Sequence, residues 1–128
     1  MNPHIAPVDL AKSYRLINHG PPVLVSARHG GVDNVMAAAW CCALDFAPPK
    51  LTVVLDKATA TRALVEQSGM FVIQVPTAAQ LRLTHQVGTR TLSTDAGKLT
   101  TSGVQLFGME GFDPVSYTHL RAHETDSY

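Results

Sequence analysis

Val23 and Val25 alternate with Leu24 and Ser26 in the run Pro22–Arg28. β-branched residues at a period of two predict a strand. His29-Gly30-Gly31 breaks it, because Gly-Gly accepts the positive φ of a hairpin turn. The chain resumes as a small, apolar run from Val32 to Leu44 with Trp40 near its middle, ended by Phe46-Ala47-Pro48-Pro49. Leu51–Leu55 reads as a further strand. Ala60, Ala63 and Leu64 fall at helical spacing, with Ser68-Gly69 as the stop. Met70–Val75 predicts a strand closed by Pro76. Thr77 with Gln80 three residues on opens a second helix, whose apolar positions Ala79, Leu83 and Val87 recur every four residues and which Gly88 should end. Residues 89–103 are polar and rich in Gly, Ser and Thr, so a loop with at most one short helical turn is expected. Val104–Phe107 starts another strand.

Strands in hairpins, interrupted by two short helices, suggest an α+β or mainly β domain with a largely antiparallel sheet or barrel. No Gly-x-Gly-x-x-Gly follows a strand, which removes support for a Rossmann dinucleotide site. No internal repeat is visible.

Composition narrows the class. The 128 residues are 45% hydrophobic and 16% charged, a globular balance large enough for one cored domain. Ten Lys plus Arg offset ten Asp plus Glu, so no broad surface for nucleic acid or anionic membrane is expected. Met1–Leu10 carries Asn2, His4 and Asp9 rather than an apolar leader core, and the longest apolar runs are too short to span a bilayer. Cys41 and Cys42 are adjacent, and on a strand such neighbours point to opposite faces, which disfavours a disulfide between them. A reduced, cytoplasmic setting fits.

Chemistry concentrates in two segments. Lys57-Ala58-Thr59-Ala60-Thr61-Arg62 lies between a strand end and a helix start, where free backbone amides, two hydroxyls and two cations can converge on an anion such as phosphate. The alternative is that Thr59 or Thr61 only caps the helix and the cations are solvated. Asn34-Val35-Met36-Ala37-Ala38-Ala39-Trp40-Cys41-Cys42 removes side-chain bulk from a strand. That would let a flat ligand lie against the backbone, although tight sheet packing needs small residues equally. Cys41 has no nearby cation or spaced partner and reads as a packing residue. His29 reads as an exposed turn residue and His85 as solvent-facing. No Ser-His-Asp or paired-carboxylate pattern stands out, so no catalytic side chain is expected.

The character of the chain changes near Pro114. Residues 114–128 hold two of the three tyrosines and two of the six histidines, and resemble a translated sequencing adaptor. They are expected to be a foreign, unstructured tail behind a domain of residues 1–113. His119 and His123 lie four apart, but two histidines without a third ligand make a poor metal site, and none is expected.

Asp33-Asn34-Val35-Met36-Ala37-Ala38-Ala39-Trp40, Asp45-Phe46-Ala47-Pro48-Pro49, Thr59-x-Thr61 and Ser68-Gly69-Met70-Phe71-Val72-Ile73-Gln74-Val75 together resemble the flavin reductase-like domain, flavoredoxins included. The resemblance runs from about Tyr14 to Leu106. It implies a Greek-key, FMN-binding split β-barrel, incomplete here at its C-terminus. It places Asn34, Met36, Ala37, Ala38, Ala39, Trp40 and Cys41 near the flavin ring, and Lys57, Thr59, Thr61 and Arg62 near its phosphate. Many relatives have Thr or Ser where Ala37 and Ala39 stand, and Asn where Gln74 stands. The implied activity is hydride transfer from NAD(P)H to FMN and on to an acceptor, in a homodimer. The alternatives are an FMN-binding electron carrier without nicotinamide turnover, or an inactive fragment.

Overall fold

The computed structural model describes residues 6–107 and 119–122. A 3-10 helix, Leu10–Leu16, precedes the first strand; its polar, short-range cap on Asp9 left no clear periodic signal in the sequence. β1 (Val23–His29) and β2 (Val32–Ala38) form the expected hairpin, closed by Gly30 and Gly31, which both take positive φ. β1 also pairs antiparallel with β5 (Val72–Gln74), giving a three-stranded sheet in the order β2-β1-β5.

The apolar run expected to continue from Val32 to Leu44 is two strands. Ala39 and Trp40 are both exposed, which breaks the alternation, and the chain turns there into β3 (Cys41–Phe46). The Val54 amide braces the corner by donating to the Trp40 carbonyl at 2.9 Å. No Gly or Pro marks this bend, so hydropathy alone ran through it. β3 pairs with β4 (Pro49–Val53) across Ala47-Pro48, with an irregularity between Ala43 and Asp45. Pro49 therefore opens β4 rather than only ending β3; a first-position proline costs the ladder no needed donor.

Helix α1 (Ala60–Ser68) starts on Thr59, whose hydroxyl accepts the Arg62 amide, and stops at Gly69 with φ 72°. Its buried face is Thr61 and Leu64; Ala63 is exposed. The second helical segment opens with a 3-10 turn, Ala78–Gln80, in which Gln80 Oε1 accepts the Thr77 amide at 2.9 Å. Helix α2 (Leu81–Thr89) follows and buries Leu83 and Val87. The 3-10 turn rotates Ala79 off that stripe into solvent. Gly88 does not end α2 but lies inside it, where a Cβ would stand 3.0 Å from that of Ala37. Its role is close approach to β2. The polar stretch after α2 holds one short turn, α3 (Lys98–Thr101), before β6 (Val104–Phe107). Of the segment expected to be an unstructured tail, the structure describes His119–Ala122. These residues form β7 and run antiparallel to β6, whose open edge offers a ladder to any extended segment. His123 lies outside the described residues.

β1 is the centre of the domain. Leu24 packs one way with Val35, Leu83 and Val87; Val23 and Val25 pack the other way with Ile17, Ala38 and Cys41. Burying both faces of one strand explains why its side chains are apolar at consecutive positions. The fold is mixed α and β, with hydrogen-bonded sheets of three, two and two strands; among the described residues these sheets do not close into a barrel. No helix among the described residues is long and apolar enough to cross a membrane.

Candidate functional site

β2 is an edge strand, and α1 begins beside it. Asn34 on β2 donates through Nδ2 to Thr61 Oγ1 in the first turn of α1, at 3.0 Å. Both side chains are shut off from solvent, Asn34 at 2% exposure and Thr61 at 0%. This bond joins the two segments that the sequence marks as chemical.

The loop leading to α1 is built by Asp56. Its carboxylate accepts the Ala58 amide at 2.8 Å, and its carbonyl accepts both the Thr59 amide and the Thr59 hydroxyl. The Thr59 hydroxyl is thus spent on the loop and on capping Arg62. The amides of Ala60 and Thr61 lie in the first helical turn, which has no intrahelical acceptors for them, so they carry the positive end of the helix dipole.

A cleft of about 400 Å³ opens in front of this turn. Asn34, Met36, Ala37, Thr59 and Thr61 line it, joined by residues from the far side: Gly88 and Thr89 of α2, then Arg90, Thr91 and Lys98. A second depression of about 280 Å³, walled by Ala38, Ala39, Trp40 and Val54, shares Met36, Ala37 and Asp56 with the first. The two form one groove along β2, polar at the α1 end and apolar at the Trp40 end. Trp40 is 74% exposed.

Three residues expected at the site stand elsewhere. Cys41 is buried in the core with Val23 and Val25. Burial, and secondarily the neighbouring Cys42, push its thiol up, so it is a poor nucleophile. Arg62 turns away, its Nε on Glu66 Oε1 at 2.9 Å and its Nη1 on the Leu55 carbonyl at 3.1 Å. Lys57 is exposed and lines neither depression. As expected, His29 and His85 are exposed; Cys42 is exposed too.

A buried cation does line the groove: Lys98, only 1% exposed. Burial lowers its ammonium to about 8, against a smaller opposing pull from Asp95. Nothing in the local pattern marks it, because Lys98 sits in a polar, aperiodic stretch. Arg90 also lines the groove but is engaged by Asp95 at 3.1 Å. Among the described residues, Asn34 Oδ1 is buried without a hydrogen-bond partner. Among the described residues no group of three His, Cys, Asp or Glu could hold a metal. A separate apolar cleft of about 390 Å³, between the Leu10–Leu16 helix and the β3–β4 hairpin, contains none of the residues expected to bind the cofactor.

This geometry, a strand edge of small residues joined to a helix start and a buried cation, could hold a flat ligand with an anionic tail. The flavin reductase like domain matches residues 15–110, and the chain belongs to that family of FMN-binding split-barrel proteins. It is similar to the FMN-binding domain of a flavin reductases-like enzyme from Shewanella baltica OS155. The identity is 69%, with a TM-score of 0.85, over 90% of this chain and 59% of that one. Flavoredoxin of Desulfovibrio vulgaris (Miyazaki F) is 27% identical, with a TM-score of 0.69, over 79% of this chain and 54% of that one. The uncharacterized protein YddH of Escherichia coli (strain K12) is 42% identical over 84 residues, 64% of this chain and 44% of that one. The chain thus spans well under two thirds of each of these relatives.

Proposed function

We propose that the groove along β2 holds FMN and that the whole protein is a flavin reductase-like oxidoreductase using NAD(P)H. The observation that carries this is the continuity of the groove, from Lys98 and the start of α1 to the alanine-lined strand edge at Trp40. The residues fit the cofactor. Among the described residues Asn34 Oδ1 is a buried acceptor in want of a donor, and Lys98 is a buried lysine on the wall of the cleft. In this reading Thr61, the Ala60 and Thr61 amides and Lys98 hold the phosphate, Asn34 takes a hydroxyl of the ribityl chain, and Met36, Ala37, Ala38, Ala39 and Trp40 flank the ring. Thr59 acts through the helix it caps. Lys57 and Arg62 add only to the local positive potential, and Cys41 supports β2 from the core.

FMN, when bound, accepts hydride from reduced nicotinamide and passes electrons on. The protein's own part is to bind, orient and shield, which needs no acid or base among these side chains. The exposed apolar residues Leu44, Phe46 and Leu51 of the β3–β4 hairpin, beside Trp40 and Val54, support a homodimer that covers them. The complete split barrel and the nicotinamide site belong to the whole protein in this reading, and residues 114–128 are foreign to the domain. The family match ending at residue 110 agrees with that division. Two free thiols fit a cytoplasmic location.

The test is the visible absorption spectrum after incubation with FMN and desalting, followed by NADH and NADPH oxidation. A retained flavin spectrum with turnover supports the reductase. Retained flavin without turnover makes the protein an electron carrier, the reading favoured by its likeness to flavoredoxin. A colourless protein, with and without a natural C-terminus in place of residues 114–128, overturns both.

A further inference from the structure

We propose that Asp56 biases the groove against reduced flavin: its charge weakens the hold on reduced FMN relative to oxidised FMN. The inference rests on the flavin reading above and goes beyond it. It concerns the redox state that the ring end favours, and it names a residue outside both segments that the sequence marks as chemical.

Asp56 stands at the joint of the groove. It lines the polar depression together with Thr59 and Lys98, and the apolar depression together with Trp40 and Val54. At the apolar end it is the one charged side chain among the described residues; the others there are three alanines, Met36, Val54 and Trp40. Arg90 and Lys98 line the polar end alone. The groove thus has its cations at the end assigned to the phosphate and an acid where the ring end begins. None of the ion pairs between described residues includes Asp56, and Arg62 goes to Glu66 instead.

The loop uses the oxygens of Asp56 and not its charge. Oδ1 accepts the Ala58 amide at 2.8 Å and the Asp56 carbonyl accepts from Thr59, contacts that an asparagine could make equally. Asp56 also lies three residues ahead of the Thr59 cap, so its charge meets the positive end of the α1 dipole. That effect bears on stability and is the same for either redox state of a ligand. Hydride transfer is not. It delivers two electrons and one proton to the ring, which ends one negative charge richer, while the nicotinamide ends one positive charge richer. A carboxylate beside the ring repels the added charge and spares the neutral, oxidised ring. Asp56 is exposed, so water screens the repulsion. The expected size is a roughly 3- to 10-fold penalty on reduced FMN.

The experiment is a spectroscopic redox titration of FMN bound to the full chain, for the wild type, D56N and D56E, each checked by thermal melting. D56N keeps the oxygen for Ala58 and loses the charge; D56E keeps the charge. The D56N midpoint potential should rise by about 15–30 mV, the 3- to 10-fold change converted for a two-electron couple, and D56E should stay near the wild type. Midpoints that do not move, or that move alike in both variants, overturn the assignment. If D56N melts too low to titrate, ionic strength does the same work on the wild type. Its midpoint relative to free FMN should then rise as salt screens Asp56, and a flat or falling response overturns the assignment. A wild type that retains no FMN overturns the flavin reading and this inference together, and the absorption spectrum shows that before any potential is measured.

Discussion

The Asn34 amide reaches Thr61 Oγ1 across 3.0 Å, and through that one bond an edge strand and the start of a helix hold a common geometry. Neither residue is exposed, so the bond is protected from competition by water. It fixes where the first turn of α1 stands relative to the floor of the groove.

Thr61→Val keeps the shape and leaves Asn34 Nδ2 buried and unpaired. The expected cost is about 1–3 kcal/mol of stability, read as a lower urea midpoint with an unchanged slope. Asn34→Ala in the Thr61→Val background should cost less than the sum of the two single changes. Strict additivity would show that the bond carries no coupling.

Gly88→Ala sets two effects against each other. Helix propensity favours alanine by about 1 kcal/mol, but the new Cβ would meet Ala37 Cβ at 3.0 Å. Ala37 has no flexible end to move, so α2 or β2 must shift, and overpacking of this kind costs about 1–3 kcal/mol. A net loss of stability is expected, with recovery in Gly88→Ala, Ala37→Gly. A more stable single variant would show that the helix and strand are not in tight contact.

Lys98 links pH to both stability and binding. Its ammonium titrates near 8 in the folded protein against an ordinary value of 10.5, because burial disfavours the charge. Between these values the unfolded chain holds a proton that the folded chain has released, so this group makes stability rise with pH across that window. A bound phosphate keeps the proton on Lys98, so FMN affinity should fall above about pH 8, by at most about tenfold per unit. Calorimetric titration at pH 9 in buffers of different ionisation enthalpy counts the protons taken up. Uptake absent in the wild type, or equal in K98M, would refute the linkage.

The two thiols should separate by reactivity. Cys42 is exposed, whereas Cys41 is buried and its thiol is pushed up. A thiol reagent at neutral pH is expected to label Cys42 quickly and Cys41 only as the protein unfolds. Simultaneous labelling of both would place Cys41 outside the core.

Much of this fold is legible in the sequence because its signals are local. Gly30-Gly31 marks the first hairpin, Thr59 and Gly69 bracket α1, and Leu83 and Val87 mark the buried stripe of α2. What escapes local reading depends on distant partners. The corner at Ala39-Trp40 is set by a hydrogen bond from Val54, and Gly88 looks like a helix stop until Ala37 is found against it. The site divides in the same way. Asn34 and Thr61 belong to segments whose composition singles them out, and they meet as a pair. Lys98 comes from a polar stretch with no pattern, and only folding brings it to the groove. Lys57 and Arg62 show the converse: both stand near a helix start in sequence, yet a carboxylate and a carbonyl claim Arg62, and Lys57 is exposed and lines neither depression.

The position of β1 determines which part of the domain opens last. Leu24, Val25 and Ser26 have a strand on either side and a packed layer above and below. No local fraying can expose their amides, so solvent hydrogen reaches them only when the domain as a whole comes apart. Deuterium uptake at these residues is therefore a direct gauge of global stability. If a flavin binds in the groove, uptake there slows in proportion to its affinity, although none of the three residues lines the groove.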